Sequence, residues 1–212
     1  MSTGSEEYRA KSLILSTGSL PKQLNVPGEE EFKGKGVSYC ATCDGPLFRN
    51  KDVAVVGCGN SGLQEGEALL KYVNKVKFVE FLPRMTAQKI LQDRLRKQDK
   101  AEFFLNHKLA SVNGGKFVES VTLEDRKEGG KKDIPVQGVF IYAGYLPNSG
   151  FIKDMVELDE QGYIITEKDM RTSVPGIYAV GDVRAKDIRQ IDVACAEGTI
   201  AAVSVRDYLN AL

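Results

Sequence analysis

Histidine occurs once in this 212-residue chain, at His107, and cysteine four times, at Cys40, Cys43, Cys58 and Cys195. A structural zinc site takes about four nitrogen or sulfur ligands. Only Cys40 and Cys43 have motif spacing, so a second ligand pair is lacking and no metal site is expected. Isolated cysteines also exclude a disulfide-stapled secreted scaffold. Net charge is missing as well, because 29 basic residues balance 29 acidic ones. There is then no global field to attract nucleic acid or an anionic membrane. No apolar run approaches the roughly 18 residues of a spanning helix. The opening Met1-Ser2-Thr3-Gly4-Ser5-Glu6-Glu7 is polar and unlike a secretory leader. The expectation is a cytoplasmic protein with neither nucleic acid nor membrane as partner. Repeats and low-complexity segments are absent too.

What the chain does have begins at Cys40-Ala41-Thr42-Cys43. Two cysteines at this spacing can close a disulfide that is reducible near cytosolic potentials, as a structural disulfide is not. Downstream, the apolar run Val53–Val56 enters Gly57-Cys58-Gly59-Asn60-Ser61-Gly62. A Gly-x-Gly-x-x-Gly that follows a strand and opens a helix is the context of a dinucleotide loop. Gly57 permits the tight turn, Gly59 lets backbone N–H groups approach a pyrophosphate, and Gly62 lets helix and strand pack closely. The helix start, with Asn60 and Ser61, supplies partial positive charge for the phosphates. The rival reading is a plain glycine turn, with Cys58 as a small residue that fits it.

Glu80 ends the next strand, about 20 residues past the loop, where an acidic side chain accepts from ribose hydroxyls. The same carboxylate would repel a 2′-phosphate. Phe81-Leu82-Pro83 offer no cation, and Arg84 is the one guanidinium close by in the sequence. NADH is therefore expected over NADPH. The rival role for Glu80 is simply to end the strand in solvent.

Around these motifs the pattern is strand, loop, helix, strand. Short strands are expected within Tyr8–Leu15, at Val53–Val56, Val76–Phe81 and Phe103–Leu105, and helices over Leu63–Tyr72 and Ala87–Lys97. Gly45-Pro46 should end a short helix beginning at Ala41. Then Lys108–Val112, Phe117–Leu123 and Lys132–Val136 read as strands joined by Asn113-Gly114-Gly115 and Glu128-Gly129-Gly130, sequences suited to hairpins. Gly138–Ala143 is a further strand, Leu158–Thr166 a hairpin, Ile177–Val180 a strand ending at Gly181-Asp182, and Asp192–Leu209 a helix with Asp192 as its N-cap. Leu20-Pro21 through Pro27-Gly28, and Gly144 with Pro147-Asn148, are candidate linkers.

Tyr39–Pro46, Gly57–Gly62, Thr172–Asp182 and Arg189-Gln190, taken in that order, resemble the low-molecular-weight thioredoxin reductase family. The closest branch is similar to the flavoprotein subunit of alkyl hydroperoxide reductase and related NADH-dependent flavoenzymes. NADPH-dependent members carry a basic pattern where this chain has Glu80, Phe81, Leu82 and Thr86, which agrees with the electrostatic reading. The resemblance implies an α/β fold: a Rossmann-like dinucleotide-binding domain, parallel sheet plus antiparallel β-meander, with an incomplete second FAD-domain portion. It maps residues 1–20 to a remnant FAD-domain strand, 21–147 to the nicotinamide domain with the Cys-x-x-Cys, and 148–212 to the C-terminal part of the FAD domain.

The implied activity is disulfide reduction, with electrons passing from NADH through FAD to Cys40/Cys43 and on to a thioredoxin-, glutaredoxin- or peroxiredoxin-type protein disulfide. By resemblance Cys43 is the sulfur nearer the flavin, Cys40 attacks the partner, and Asp44 moves protons for the thiols. A carboxyl beside a thiolate suits that role; a turn or helix cap ahead of Gly45-Pro46 is the rival role for Asp44. Gly181 and Asp182 match the family's second flavin fingerprint, and Arg189, Gln190 and Ile191 would lie along the isoalloxazine. The family's first flavin-binding glycine loop has no counterpart here. The expectation is a fragment that binds NADH but binds FAD weakly or not at all, with a homodimer or a complementing FAD-half chain as the other ways to cover the exposed surface. Outside this reading stand an NADPH-dependent reductase, a regulatory nicotinamide-binding redox module without independent turnover, and a small zinc domain.

Overall fold

The computed structural model describes residues 2–4 and 6–212. The chain divides into two compact units, Pro21–Gly144 and the combination of the segment ending at Leu20 with Tyr145–Leu212.

Pro21–Gly144 is built on a five-stranded parallel sheet. Its strands run, edge to edge, Val37–Ser38, Gly138–Ile141, Asp52–Val56, Lys75–Glu80 and Ala101–Leu105. The run Val53-Ala54-Val55-Val56 is continuously apolar because both faces of its strand are covered. Val53 and Val55 turn toward one core with Leu63, Leu69, Phe78 and Phe140, where the helices Asn60–Leu69 and Lys89–Leu95 pack. Ala54 and Val56 turn to the other, with Val79, Val112, Val121 and Val139. That second face is roofed by a three-stranded antiparallel meander, His107–Gly114, Val118–Asp125 and Lys131–Pro135. Lys77 interrupts the apolar pattern on the meander side. Its ammonium reaches the Asp52 carboxylate at 3.2 Å and the Pro135 carbonyl at 2.8 Å, so the buried charge is paired.

The helix Asn60–Leu69 starts three residues earlier than its apolar spacing suggests, because Gly59 in extended backbone serves as its N-cap. Gly66 lies in its middle for a packing reason. A Cβ there would sit 2.3 Å from the buried Phe78 ring, so the bare backbone is what brings helix and sheet together. Gly45-Pro46 ends the short α-helix Ala41–Asp44, as expected, and the chain continues in a 3₁₀ turn over Gly45–Phe48. Proline is tolerated there because the first turn spends no N–H on internal bonds.

The other unit pairs Ile177–Ala179 in parallel with Leu13–Leu15. Tyr8–Lys11 is outside that strand. Leu158 and Ile164 share a single antiparallel bridge, so the expected hairpin is a turn without a ladder. The long helix Ile191–Asn210 is capped by Gln190, and Asp192 falls in its first turn. A carboxylate in that place still complements the helix dipole. No helix of the described residues is long and apolar enough to cross a membrane.

Candidate active site

Cys40 and Cys43 form a disulfide, with 5.3 Å between their Cα atoms. The helix Ala41–Asp44 sets that spacing, since residues three apart lie on one side of a turn. Cys40 is the N-cap, and its sulfur accepts the Cys43 N–H at 3.1 Å. An N–H aimed at that sulfur favours a thiolate there once the bridge is opened. Cys43 is exposed and Cys40 half-buried.

Two residues that sequence reasoning missed hold this helix. The Ser38 hydroxyl donates to Asp44 Oδ2 at 2.6 Å and accepts the Cys40 N–H at 3.1 Å, tying the carboxylate to the backbone of the first cysteine. Tyr142 accepts the Ala41 N–H on its hydroxyl at 3.0 Å. Neither carries a signal in the sequence. Ser38 is an ordinary polar residue on a two-residue strand, and Tyr142 lies 101 positions from Ala41.

The glycine loop leaves the central strand of the same unit. Gly57 has φ +106°, and a Cβ on it would fall 2.3 Å from the Tyr142 carbonyl oxygen. A Cβ on Gly62 would fall 1.9 Å from the Gly57 carbonyl oxygen. Gly59 is different: a Cβ there would meet only the Thr86 hydroxyl, at 3.7 Å, so this turn is open on the side where a ligand would approach. Asn60 Oδ1 accepts the Gln88 N–H at 2.8 Å and pins the loop to the next helix. Ser61 follows in the first helical turn, whose N–H groups have no intrahelical acceptor. Such a cradle, open at Gly59 and closed at Gly57 and Gly62, fits a dinucleotide pyrophosphate.

Glu80 is buried and brackets the loop. Its Oε2 accepts the Cys58 N–H at 2.7 Å and its Oε1 the Leu82 N–H at 3.0 Å. Each carboxylate oxygen has two acceptor sites, so one remains on each beyond these bonds. Cys58 is fully buried, and burial together with the Glu80 charge pushes its thiol up to about 12. It stays a neutral, packed side chain.

The second group of expected residues lies in the other unit. Gly181 has φ +72° and its N–H donates to Glu197 Oε2 at 2.7 Å. Asp182 follows, with Lys186 Nζ at 3.7 Å. Burial raises the Glu197 carboxyl, but the Gly181 N–H, Lys186 and Arg184 outweigh it and hold the group below the ordinary carboxylate range. Sequence reasoning missed this Glu197–Arg184–Lys186 knot, which fixes the turn carrying Asp182 to the long helix. Arg189 lies with its guanidinium 4.2 Å from the Tyr163 ring centroid, and its Nε is buried without a hydrogen-bond partner among the described residues. A buried orphan donor calls for an acceptor. Gln190 and Ile191 are exposed beside it at the start of the helix. The open Arg189 Nε–H is the group here that an acceptor such as the polar edge of a flavin would satisfy.

The family described as pyridine nucleotide-disulphide oxidoreductase matches residues 2–198. The chain belongs to that family. Within it, the chain is 43% identical to a thioredoxin reductase of Listeria innocua over 213 residues, covering 100% of this chain and 67% of that protein. It is 40% identical to one of Peptoclostridium acidaminophilum, covering 97% of this chain and 67% of the relative. The chain thus spans about two thirds of the length of the curated relatives it matches. Among solved structures, Lactococcus lactis thioredoxin reductase in its FR conformation superposes with a TM-score of 0.89 at 38% identity, over 99% of this chain and 69% of that one. T. acidophilum thioredoxin reductase gives 0.86 at 40% identity, again over 99% and 69%. A disulfide oxidoreductase of this family needs a pyridine nucleotide and a reducible disulfide, and Cys40–Cys43 is the bridge that fits.

Proposed function

We propose that the chain carries electrons from NADH through FAD to the Cys40–Cys43 disulfide and on to the disulfide of a thioredoxin-type protein. The observation that supports this most directly lies within Pro21–Gly144. A closed Cys40–Cys43 bridge and a glycine loop shaped for a dinucleotide meet at one residue, Tyr142.

Gly57, Gly59, Asn60, Ser61 and Gly62 hold the pyrophosphate, and Glu80 takes the adenosine ribose on its remaining acceptor sites. Its negative charge disfavours a 2′-phosphate, which is the reason for assigning NADH. Gly181 and Asp182 hold the ribityl and phosphate end of the flavin, while Arg189, Gln190 and Ile191 line its ring. When bound, the nucleotide supplies a hydride and the flavin relays the electron pair to sulfur.

Two electrons and two protons turn the bridge into two thiols. Cys40, whose thiolate is favoured by the Cys43 N–H, attacks a sulfur of the acceptor and forms a mixed disulfide. Cys43 then displaces the acceptor's reduced thiol and restores the bridge. Asp44, steadied by Ser38, holds or returns the proton at the cysteine pair. Glutaredoxin- and peroxiredoxin-type disulfides are the competing acceptors. Ile191, Ile200, Val203 and Leu209 lie exposed on the long helix and offer the surface for a homodimer or a complementing flavin-binding chain.

The test is flavin reduction in excess FAD. NADH should bleach the flavin anaerobically at a rate that requires the chain. A rate no faster with the chain than without it would refute transfer within this chain.

A further inference from the structure

Residues 81–84 bring the nucleotide site no anchored cation, yet the fold brings one from a distant turn. Phe81, directly after Glu80, is 50% exposed. The Arg126 guanidinium lies 3.5 Å from its ring centroid, and Arg126 Nη1 donates to the Phe81 carbonyl oxygen at 3.0 Å. The backbone closes the arrangement: Arg126 N–H donates to the Asn106 carbonyl at 2.8 Å, and Asn106 N–H donates to the Leu82 carbonyl at 3.0 Å. Asn106 has φ +59°, a left-handed turn that asparagine accepts more readily than most residues. Strand end, turn and meander hairpin are thus knitted together at Arg126.

We propose that Arg126 is a specificity-determining residue of the nucleotide site, presenting its guanidinium to the 2′-phosphate of a dinucleotide and opposing the repulsion from Glu80. The proposal rests on the reading of Gly57–Glu80 as a nucleotide site. An acidic residue at this strand end marks the ribose edge, and an arginine beside it accommodates a 2′-phosphate. The residues immediately past Glu80 therefore flank that position, and Arg126 is fastened to the first of them.

Anchorage favours Arg126 over Arg84. One of its five N–H groups is spent on the Phe81 carbonyl, which leaves the others for a phosphate. The stack on Phe81 orders the side chain beforehand, so little rotamer freedom is lost on binding. It is exposed and in no ion pair among the described residues, so no carboxylate must be displaced. Arg84 is exposed without such an anchor. The carboxylate of Glu80 also receives two backbone N–H groups, which offset part of its charge. Preference for NADH is then a balance between Glu80 and Arg126, and NADPH is a tolerated second ligand.

Dissociation constants for NADH and NADPH, measured by nicotinamide fluorescence on the full chain, test this with R126A, R126K and E80Q. R126A should weaken NADPH about tenfold, the usual worth of a charge-assisted bond, and leave NADH within about twofold. R126K should keep part of the NADPH affinity, and the difference should shrink at high salt. E80Q should tighten NADPH relative to NADH. Equal weakening of both nucleotides by R126A, or no change in either, would overturn the assignment. If the unsubstituted chain binds neither nucleotide, the nucleotide reading itself fails. If it binds NADH normally and R126A leaves NADPH untouched, only the role of Arg126 fails. Unaltered melting of the variant separates both outcomes from misfolding.

Discussion

The hydroxyl of Tyr142 accepts the backbone N–H of Ala41 at 3.0 Å, while the backbone of the same tyrosine lies against the glycine loop. One residue therefore caps the first turn of the dithiol helix and forms the floor beneath Gly57. Tyr142→Phe removes the acceptor and keeps the ring and the backbone. It should lower unfolding stability by about 1 kcal/mol, the net value of one such bond. Nucleotide affinity should stay within about twofold, since the loop contacts are made by backbone. Urea unfolding and NADH titration of the variant check the two halves separately.

Gly66→Ala sets helix propensity against packing. Alanine is better than glycine in a helix by about 1 kcal/mol. The added Cβ would lie 2.3 Å from Phe78, whose ring is fully buried and stacked on Phe103 at 5.1 Å. Overpacking a filled core costs about 1–3 kcal/mol, so the net result should be destabilisation. The double variant with Phe78→Leu should recover part of it. A more stable Gly66→Ala chain would contradict the packing account.

Much of the first unit could be read from residues in sequence. Val53–Val56 is apolar throughout because it is covered on both faces, and the Asn-Gly-Gly and Glu-Gly-Gly turns announce the meander. What could not be read came from contacts made across the fold. Ser38 and Tyr142 acquire their roles only when distant segments meet, and Arg126 reaches Phe81 across 45 positions. The start of the helix at Asn60 was obscured because Asn60, Ser61 and Gly62 are weak helix formers whose place is fixed by the loop. Asp192 has cap chemistry but sits within the first turn, since the chain enters the helix extended at Gln190. The second role of Glu80, as a bracket on Cys58 and Leu82, depends on burial that composition cannot show.

The two unpaired cysteines should differ in reactivity. Cys58 is buried with its thiol pushed up to about 12, whereas Cys195 is exposed on the long helix. Iodoacetamide at mildly alkaline pH should label Cys195 in the folded chain and reach Cys58 only after denaturation. Peptide mapping reads this directly. Labelling of Cys58 in the folded state would show that the glycine loop opens.

Acid should weaken the knot around Glu197. Its folded carboxyl titrates below the ordinary value of 4.5, so its contribution is fully present above that pH and is lost as pH falls through the folded value. Glu197→Gln should flatten this acid limb of a stability profile taken from about pH 6 to about pH 3. Glu197→Ala leaves the half-buried Arg184 and Lys186 without this carboxylate and should cost about 2 kcal/mol or more. An acid limb unchanged in Glu197→Gln would assign the pH dependence elsewhere.

The most direct test of electron delivery is to map thiols after reduction by the nucleotide. Chain reconstituted with FAD is given excess NADH without oxygen, quenched with an alkylating reagent and digested. Alkylated Cys40 and Cys43 should appear together, dependent on both NADH and FAD, with Cys43→Ser still binding NADH. A Cys40–Cys43 bridge that stays closed while both cofactors are bound and the flavin is reduced would contradict the account.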